Sequence, residues 1–427
     1  MRQLRKKLGM TLGVVTLTAS LAFGTASLAF GATGTGPEDA RRQIHHVFLI
    51  VLENKNFDDT FRKSTQDPYL QKTLPAKGAL LTEYFGTGHN SLDNYISMIS
   101  GQGSSLATES DCEQFDDFKL SRVDAQGQAI GKGCVYPSNI KTLADQMQAA
   151  GLRWKGYMED MGNDPARENA TCGHPPINSK DLTQEPEAPS AATPKGDQYA
   201  ARHDPFVYFH SVIDLPTCNS NIVNLDALDA DLTSVATTPN LAFITPNLCN
   251  DGHDGAGTGA AGERCADGKP GGLASSDAFL QAWVPKIMAS PAFKKDGLLI
   301  ITFDESNVRR SVTVTDPATK KKTITVTFSG EFCCNQQIGP NIVRPSTYRF
   351  AISPMLDYVV NDEGYGGDRV GAVLLSPFIK PGTISNTPYN HYALLKSLED
   401  AYGLGYLGYA GQQGLVAFGD DIFNQLR

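Results

Sequence analysis

Four runs along the chain are continuously apolar and rich in β-branched residues: "VFLIVL" at 47–52, "NLAFIT" at 240–245, "LLIITF" at 298–303 and "GAVLLS" at 371–376. Strands with one solvated face alternate apolar and polar residues. Runs without alternation predict strands covered on both faces, hence a mostly parallel sheet between helical layers. Between them, "IKTLADQMQAAG" at 140–151 has helical spacing and a natural stop at Gly151. "SSDAFLQAWVPKIMAS" and "HYALLKSLEDAYGL" are further helices, the first kinked or split by Pro285. In "SVTVTDPATKKKTITVTF", at 311–328, Thr alternates with Val or Ile around an Asp-Pro turn, which predicts a solvent-facing hairpin with the lysines at its tip. The polar stretch 160–200 is too long for an ordinary loop and reads as an insertion or a lid. The fold class expected is α/β, with a mostly parallel central sheet, helices on both faces, and loop and hairpin insertions near 160–200 and 306–345.

The first residues stand outside this pattern. Arg2, Arg5, Lys6 and Lys7 precede an uncharged apolar run that ends in small residues, so 1–29 reads as a signal peptide, with cleavage after Ala29 or at a neighbouring small-residue site. An uncleaved membrane anchor is the alternative reading. Residues 43–427 are then expected to form a single catalytic domain, with no stable membrane insertion. Losing those four cations takes the formal charge from −9 to about −13, so the overall field does not favour nucleic acid. Eight cysteines in an exported chain favour disulfides. None lies in a Cys-x-x-Cys spacing, which argues against a zinc ribbon or redox motif. Local pairings Cys112–Cys134, Cys172–Cys218 and Cys249–Cys265 are the simplest, with Cys333 and Cys334 bonded to each other or elsewhere.

In open α/β sheets ligands collect beyond the carboxyl ends of the strands. Glu53 and Asn54 follow the first run, Asp304 and Glu305 the third, and "CNDGHD", with His253 and Asp254, the second. Ser376 and Pro377 follow the fourth, and His391 opens the last long helix. Paired carboxylates with an amide make an oxygen-rich site for a hard or borderline divalent cation. The bland alternative makes Glu53 a helix cap and Asp304 and Glu305 loop residues. Ser91, at the start of a helical pattern, is a candidate nucleophile with amide N–H groups behind it, or else an ordinary N-cap. Thr87 is the fallback, His89 a weaker site candidate, and Tyr95 is expected to face the core. Tyr157, Tyr208 and Phe209 line an apolar entrance or fill the core. Trp154 reads as core, Glu159 and Asp160 as a solvated strand end.

Together "VLENKNFDDTF", "GHNSLDNYISMISG", "ITFDES", "GDRVGAVLLSPFIKPGT" and "YNHYALLKSLEDAYGL" resemble secreted bacterial phosphoesterases of the phospholipase C and acid phosphatase family, in the alkaline phosphatase superfamily. "HDPFVYF" and "ITPNLCNDGHD" look similar, so the likeness runs from about His45 to about Leu404. It implies an alkaline-phosphatase-like sandwich and metal-dependent cleavage of phosphate esters. By motif, Glu53, Asn54, Asp304 and Glu305 look like metal ligands together with Ser91, which occupies the nucleophile position. At least one ion is implied. Asn54 and His203 look like substrate contacts, and His253 and His391 like proton-transferring or phosphate-contacting histidines, His391 being the first choice for protonating the leaving group. Where large phospholipases often carry Arg-Ser-Phe-Asp, this chain has Lys55, Asn56, Phe57 and Asp58. With its shorter length, that favours an acid-phosphatase-like monoesterase acting through a phosphoserine. A phospholipase C or other phosphodiesterase taking a phospholipid headgroup is the alternative, and a non-catalytic surface binding protein is a third reading.

Overall fold

The computed structural model of the protein describes residues 43–253 and 265–425, so the expected signal segment and Asp254 lie outside the described residues. Twelve strands, named here in chain order, matter for the site. They are β1 (His46–Leu52), β2 (Ala79–Leu81), β3 (Trp154–Met158), β4 (Ile222–Asn224), β5 (Leu241–Thr245) and β6 (Gly297–Phe303), then β7 (Arg309–Thr315), β8 (Lys322–Phe328), β9 (Ser346–Ser353), β10 (Leu356–Asp362), β11 (Ala372–Leu375) and β12 (Thr383–Ser385). Eight of them make the central sheet, in the order β12-β2-β11-β6-β1-β5-β3-β4.

Every residue of β1, β5 and β6 is buried, as their unbroken apolar runs predict. β1 runs parallel to both β5 and β6, and β3 parallel to β4 and β5. The fourth apolar run differs. β11 is antiparallel to both β6 and β2. Its carboxyl end therefore points away from the other strand ends, and Ser376 bonds instead to the carbonyl of Gly297 at the start of β6. What β11 presents near the other carboxyl ends is the segment before it, which contains Asp368.

The longer helices are α1 (Ser91–Ser100), α2 (Leu143–Ala149), α3 (Gly272–Ala289) and α4 (His391–Tyr402). α2 starts later than the periodicity predicts because Thr142 and Asp145 close a capping box, each side chain accepting the other's backbone N–H. α3 runs through Pro285 as one helix and is not split. α4 is capped by Asn390, whose side chain accepts the N–H of Ala393, and it stops at Gly403 in the left-handed region. In α4, Glu399 is buried, and burial pushes its carboxyl up to about 8 although it accepts the N–H of Leu407. A carboxyl raised by folding stabilises the fold at low pH, and that contribution is lost as pH rises towards 8. Glu399→Gln is accordingly expected to flatten the fall in melting temperature between pH 6 and pH 9. Parallel pH profiles for the two proteins would refute this.

β7 to β10 form a separate four-stranded sheet, ordered β7-β8-β10-β9. β7 and β8 are the expected hairpin, and β7 is exposed along its whole length. β8 pairs onward with β10, so the hairpin is half of a larger sheet. Residues 160–200 contain no long element and are held by hydrogen bonds that buried side chains such as Asp181 and Asp197 accept from the backbone. All four local cysteine pairings are present, including Cys333–Cys334. Among the described residues no helix is long and apolar enough to cross a membrane.

Candidate active site

Glu53 follows β1 directly and is fully buried. Three donors converge on it. Ser91 Oγ donates to Oε2 at 2.7 Å, the Tyr95 hydroxyl to Oε1 at 2.5 Å, and the Asn54 amide to Oε2 at 3.1 Å. Ser91 and Tyr95 are four residues apart in α1, a spacing that puts both on one helix face. Tyr95 faces the core as expected, and its hydroxyl reaches Glu53 as well, which the spacing from Ser91 foreshadows. Asn54 sits at φ 53°, and its backbone N–H donates to Asp304 Oδ1 at 2.9 Å. Asp304 Oδ2 is buried with no hydrogen-bond partner among the described residues.

A third carboxylate, which the sequence reading passed over between two more conspicuous neighbours, is Asp251. Its backbone carbonyl accepts the N–H of Glu53 at 2.8 Å, and Oδ1 accepts the N–H of His253. Gly252 turns the chain there at φ +106°, a conformation that L side chains rarely adopt. The charge consequences are large. Burial, and then the charges of Asp304 and Asp251, push the Glu53 carboxyl well up. Burial, and then Glu305, push Asp304 up to about 7. Gathering buried acids this way is unfavourable without a positive charge among them.

Glu305 turns towards the turn before α1. Oε2 meets His89 Nδ1 at 2.6 Å, and both oxygens accept the Asn90 N–H at 3.1 Å. His89 Nε2 lies 3.3 Å from Asp368. Burial works against the charged imidazole, but the neighbouring Asp368 and Glu305 carboxylates hold its pKa up at about 10. His89 is thus held between two acids, which favour its charged form. Asp368 escaped the sequence reading because it precedes a strand that runs backwards.

A cavity of about 930 Å³ opens over these groups, with Asn54, Ser91, His89, Glu305 and His253 on its wall. Lys55 and Arg202 also line it. Thr87 does not. Its hydroxyl is buried against Ser97 and Asn94, so Ser91 is the hydroxyl the cavity reaches. The amides at the start of α1 are less available than expected, because Leu92 N–H is taken by Asp111 at 3.0 Å and Asn90 N–H by Glu305.

The histidines separate by position. His253 is exposed on the cavity wall. His203 lies behind Glu53, its Nε2 3.4 Å from Oε2 and its ring stacked on Tyr95, so a direct substrate contact is corrected to a place behind the carboxylate. His391 is fully buried, with Nδ1 3.0 Å from the Tyr84 hydroxyl and Nε2 2.5 Å from the Asp304 carbonyl. Both ring nitrogens are engaged and burial lowers its pKa to about 4. That does not fit a proton donor to a leaving group; His391 instead braces the backbone carrying Asp304. Tyr157, Tyr208 and Phe209 are buried core and line no entrance. Glu159 is no solvated strand end. It accepts the N–H of Asn247 and the side-chain amide of Asn250, and burial raises it to about 7.

Glu53, Asp304 and Glu305 carboxylates, the Asn54 amide oxygen and the Ser91 hydroxyl are the donor types a hard or borderline divalent cation takes, and Asp304 Oδ2 has no hydrogen-bond partner among the described residues, although the three carboxylates do not all lie within 4.8 Å of one another. The hydrogen bonds of His89 and Asn90 to Glu305 leave it further lone pairs and are the kind of outer contact that orients a ligand.

Comparisons with known proteins give the family of the chain. The model of the phosphoesterase family matches residues 62–405. An acid phosphatase of Aspergillus fumigatus is 24% identical over 82% of this chain and 67% of its own length. A phosphate-repressible acid phosphatase of Penicillium chrysogenum is 27% identical over 60% of this chain and 47% of its own. A phosphatidylinositol-3-phosphatase of Mycobacterium tuberculosis is 22% identical over 86% and 79%. The chain spans about half the length of some of these curated relatives. A solved protein of the alkaline phosphatase superfamily from Vibrio parahaemolyticus overlaps 84% of this chain and 67% of its own, at 12% identity and a TM-score of 0.43.

Proposed function

On the premise that the chain belongs to the phosphoesterase family, we propose that it hydrolyses phosphate monoesters, with Ser91 as nucleophile and a divalent cation as cofactor. The observation that carries this reading is the position of Ser91. It stands at the first turn of α1, on the cavity wall, with its hydroxyl hydrogen directed onto a carboxylate of a buried acidic group. That hydrogen bond leaves an oxygen lone pair free to face a phosphorus atom in the cavity. Tyr95, on the other oxygen of Glu53, fixes the direction of the contact.

Attack by Ser91, whose proton passes to Glu53, forms a phosphorus–oxygen bond as the bond to the leaving oxygen breaks on the far side. His253, on the cavity wall, donates the proton that the leaving oxygen takes up. Water then gives its proton to His253 and attacks the phosphoserine, and Glu53 returns its proton to the departing Ser91 oxygen as inorganic phosphate is released. Asn54, Lys55 and Arg202 share the charge of the phosphoryl oxygens. When bound at Glu53, Asn54, Asp304 and Glu305, a divalent cation lowers the pKa of the serine hydroxyl and offsets phosphoryl charge. The four disulfides support an exported protein, since such bonds persist in oxidising compartments.

A second reading, diester cleavage, is favoured by the cavity volume, which leaves room for another ester group. Paired assays separate the two. An aryl phosphate monoester is expected to give the higher kcat/KM than the bis-aryl diester or a phosphorylcholine diester. Chelation should abolish turnover, and re-added metal should restore it. Faster diester turnover would replace the proposal, and no turnover of any ester after metal is restored would leave a binding protein.

A further inference from the structure

The small sheet contributes more to the cavity than its solvent-facing sequence suggests. Its pairing decides which side chains share a face. Tyr348 of β9 stands opposite Val360 of β10, Phe350 opposite Tyr358, and Phe328 of β8 opposite Asp362. Apart from Asp362 these are one continuous apolar or aromatic face, and all of them line the cavity. The other face carries Thr347, Arg349, Asp357 and Asn361, with Ala351 and the buried Val359 among them. A sheet serving only as a solvated insertion has no reason to place its apolar side over an active site. The face begins at the chemistry, since the Phe328 ring lies 4.6 Å from that of His89, which is bonded to Glu305. It ends at the rim, where Phe350 is 51% exposed.

We propose that this sheet is the leaving-group wall of the active site, and that it selects phosphate monoesters whose leaving group is an alkyl or aryl chain over those of sugars and other polyols. The inference rests on the monoesterase reading above and deepens it. A hydroxyl-rich leaving group against Phe350, Tyr358 and Val360 gives up water without regaining as many hydrogen bonds. A chain of methylenes loses only water that it gains by shedding.

The test is a series of linear alkyl phosphates from ethyl to octyl, each below its aggregation concentration, with glycerol phosphate as the polyol. In the metal-loaded wild-type protein kcat/KM should rise by roughly threefold per methylene over the first several carbons. Glycerol phosphate should fall below propyl phosphate. In the Phe350→Ser, Tyr358→Ser double variant the octyl-to-ethyl ratio should drop towards one. If that variant does not fold, Phe350→Ser alone, at a half-exposed rim position, should at least halve the slope on a logarithmic scale. Turnover of every ester without a chain-length slope would overturn the wall while leaving the monoesterase reading intact. So would a slope unchanged in the variant, or one seen only above the aggregation concentration, which would point to binding at a lipid surface. Absence of turnover for all the esters, ethyl phosphate included, would remove the monoesterase reading itself.

Discussion

Ser91→Ala is expected to lower kcat for an aryl phosphate by about 10³-fold or more, with little change in fold or in metal content. The size follows from the bond being removed. Without the serine oxygen, in-line attack passes to a water that no side chain of α1 orients, and the covalent half-reaction disappears. The fold should survive because the Ser91 Oγ hydrogen bond goes to Glu53 Oε2, which also accepts from Asn54. Rapid-quench or mass-spectrometric trapping adds an independent readout. The wild-type protein should acquire a phosphate on Ser91 during turnover, and the variant none. Turnover within a few fold of wild type, or trapped phosphate on another residue such as Thr87, would sink the assignment.

The second large effect concerns Glu53, where stability and function should move in opposite directions. In metal-stripped protein at neutral pH, Glu53→Gln is expected to raise the melting temperature by about 2–4 °C, because it removes a carboxyl whose ionisation is opposed in the folded state by burial and by Asp304 and Asp251. Glutamine keeps an oxygen for Ser91, and the Tyr95 hydroxyl can turn to accept from the new amide. The same substitution should weaken divalent-metal binding by at least about 10-fold and abolish turnover. Thermal denaturation of stripped and loaded protein, with a direct metal titration, gives both readouts. A stripped variant no more stable than wild type, together with unchanged metal affinity, would mean that the acids are held apart by other means and that no cation belongs among them.

The site was partly legible because its parts obey local rules. Glu53 and Asn54, and Asp304 and Glu305, close unbroken apolar runs, and a buried strand that ends in acid is conspicuous in one dimension. Ser91 was legible as a hydroxyl at a helix start, in a motif matching a family. Asp251 and Asp368 were not legible in that way. Asp251 sits inside a polar string where His253 draws the eye, and Asp368 precedes its strand, a position that matters only once β11 is known to run backwards. The histidines show the same limit, since their residue type suggests proton transfer but only burial and partners separate His253 on the wall from His203 and His391 behind it.

What the sequence by itself determined was the set of buried strands, the helix stops and the chemical kind of site. Periodicity, capping and strand-end composition are properties of neighbouring residues and need no knowledge of the rest of the chain. Only the tertiary structure decided the direction of β11, the clamp of His89 between Glu305 and Asp368, and the turning of an apparently solvent-facing hairpin into an apolar wall over the cavity. Each of these depends on pairings between residues distant in sequence, such as Phe350 with Tyr358 across β9 and β10, and Asp368 with His89 across most of the chain. Hydrophobic pattern sets which face of an element is buried. Which partner buries it, and therefore what chemistry lies beside it, is settled only when the sheet closes.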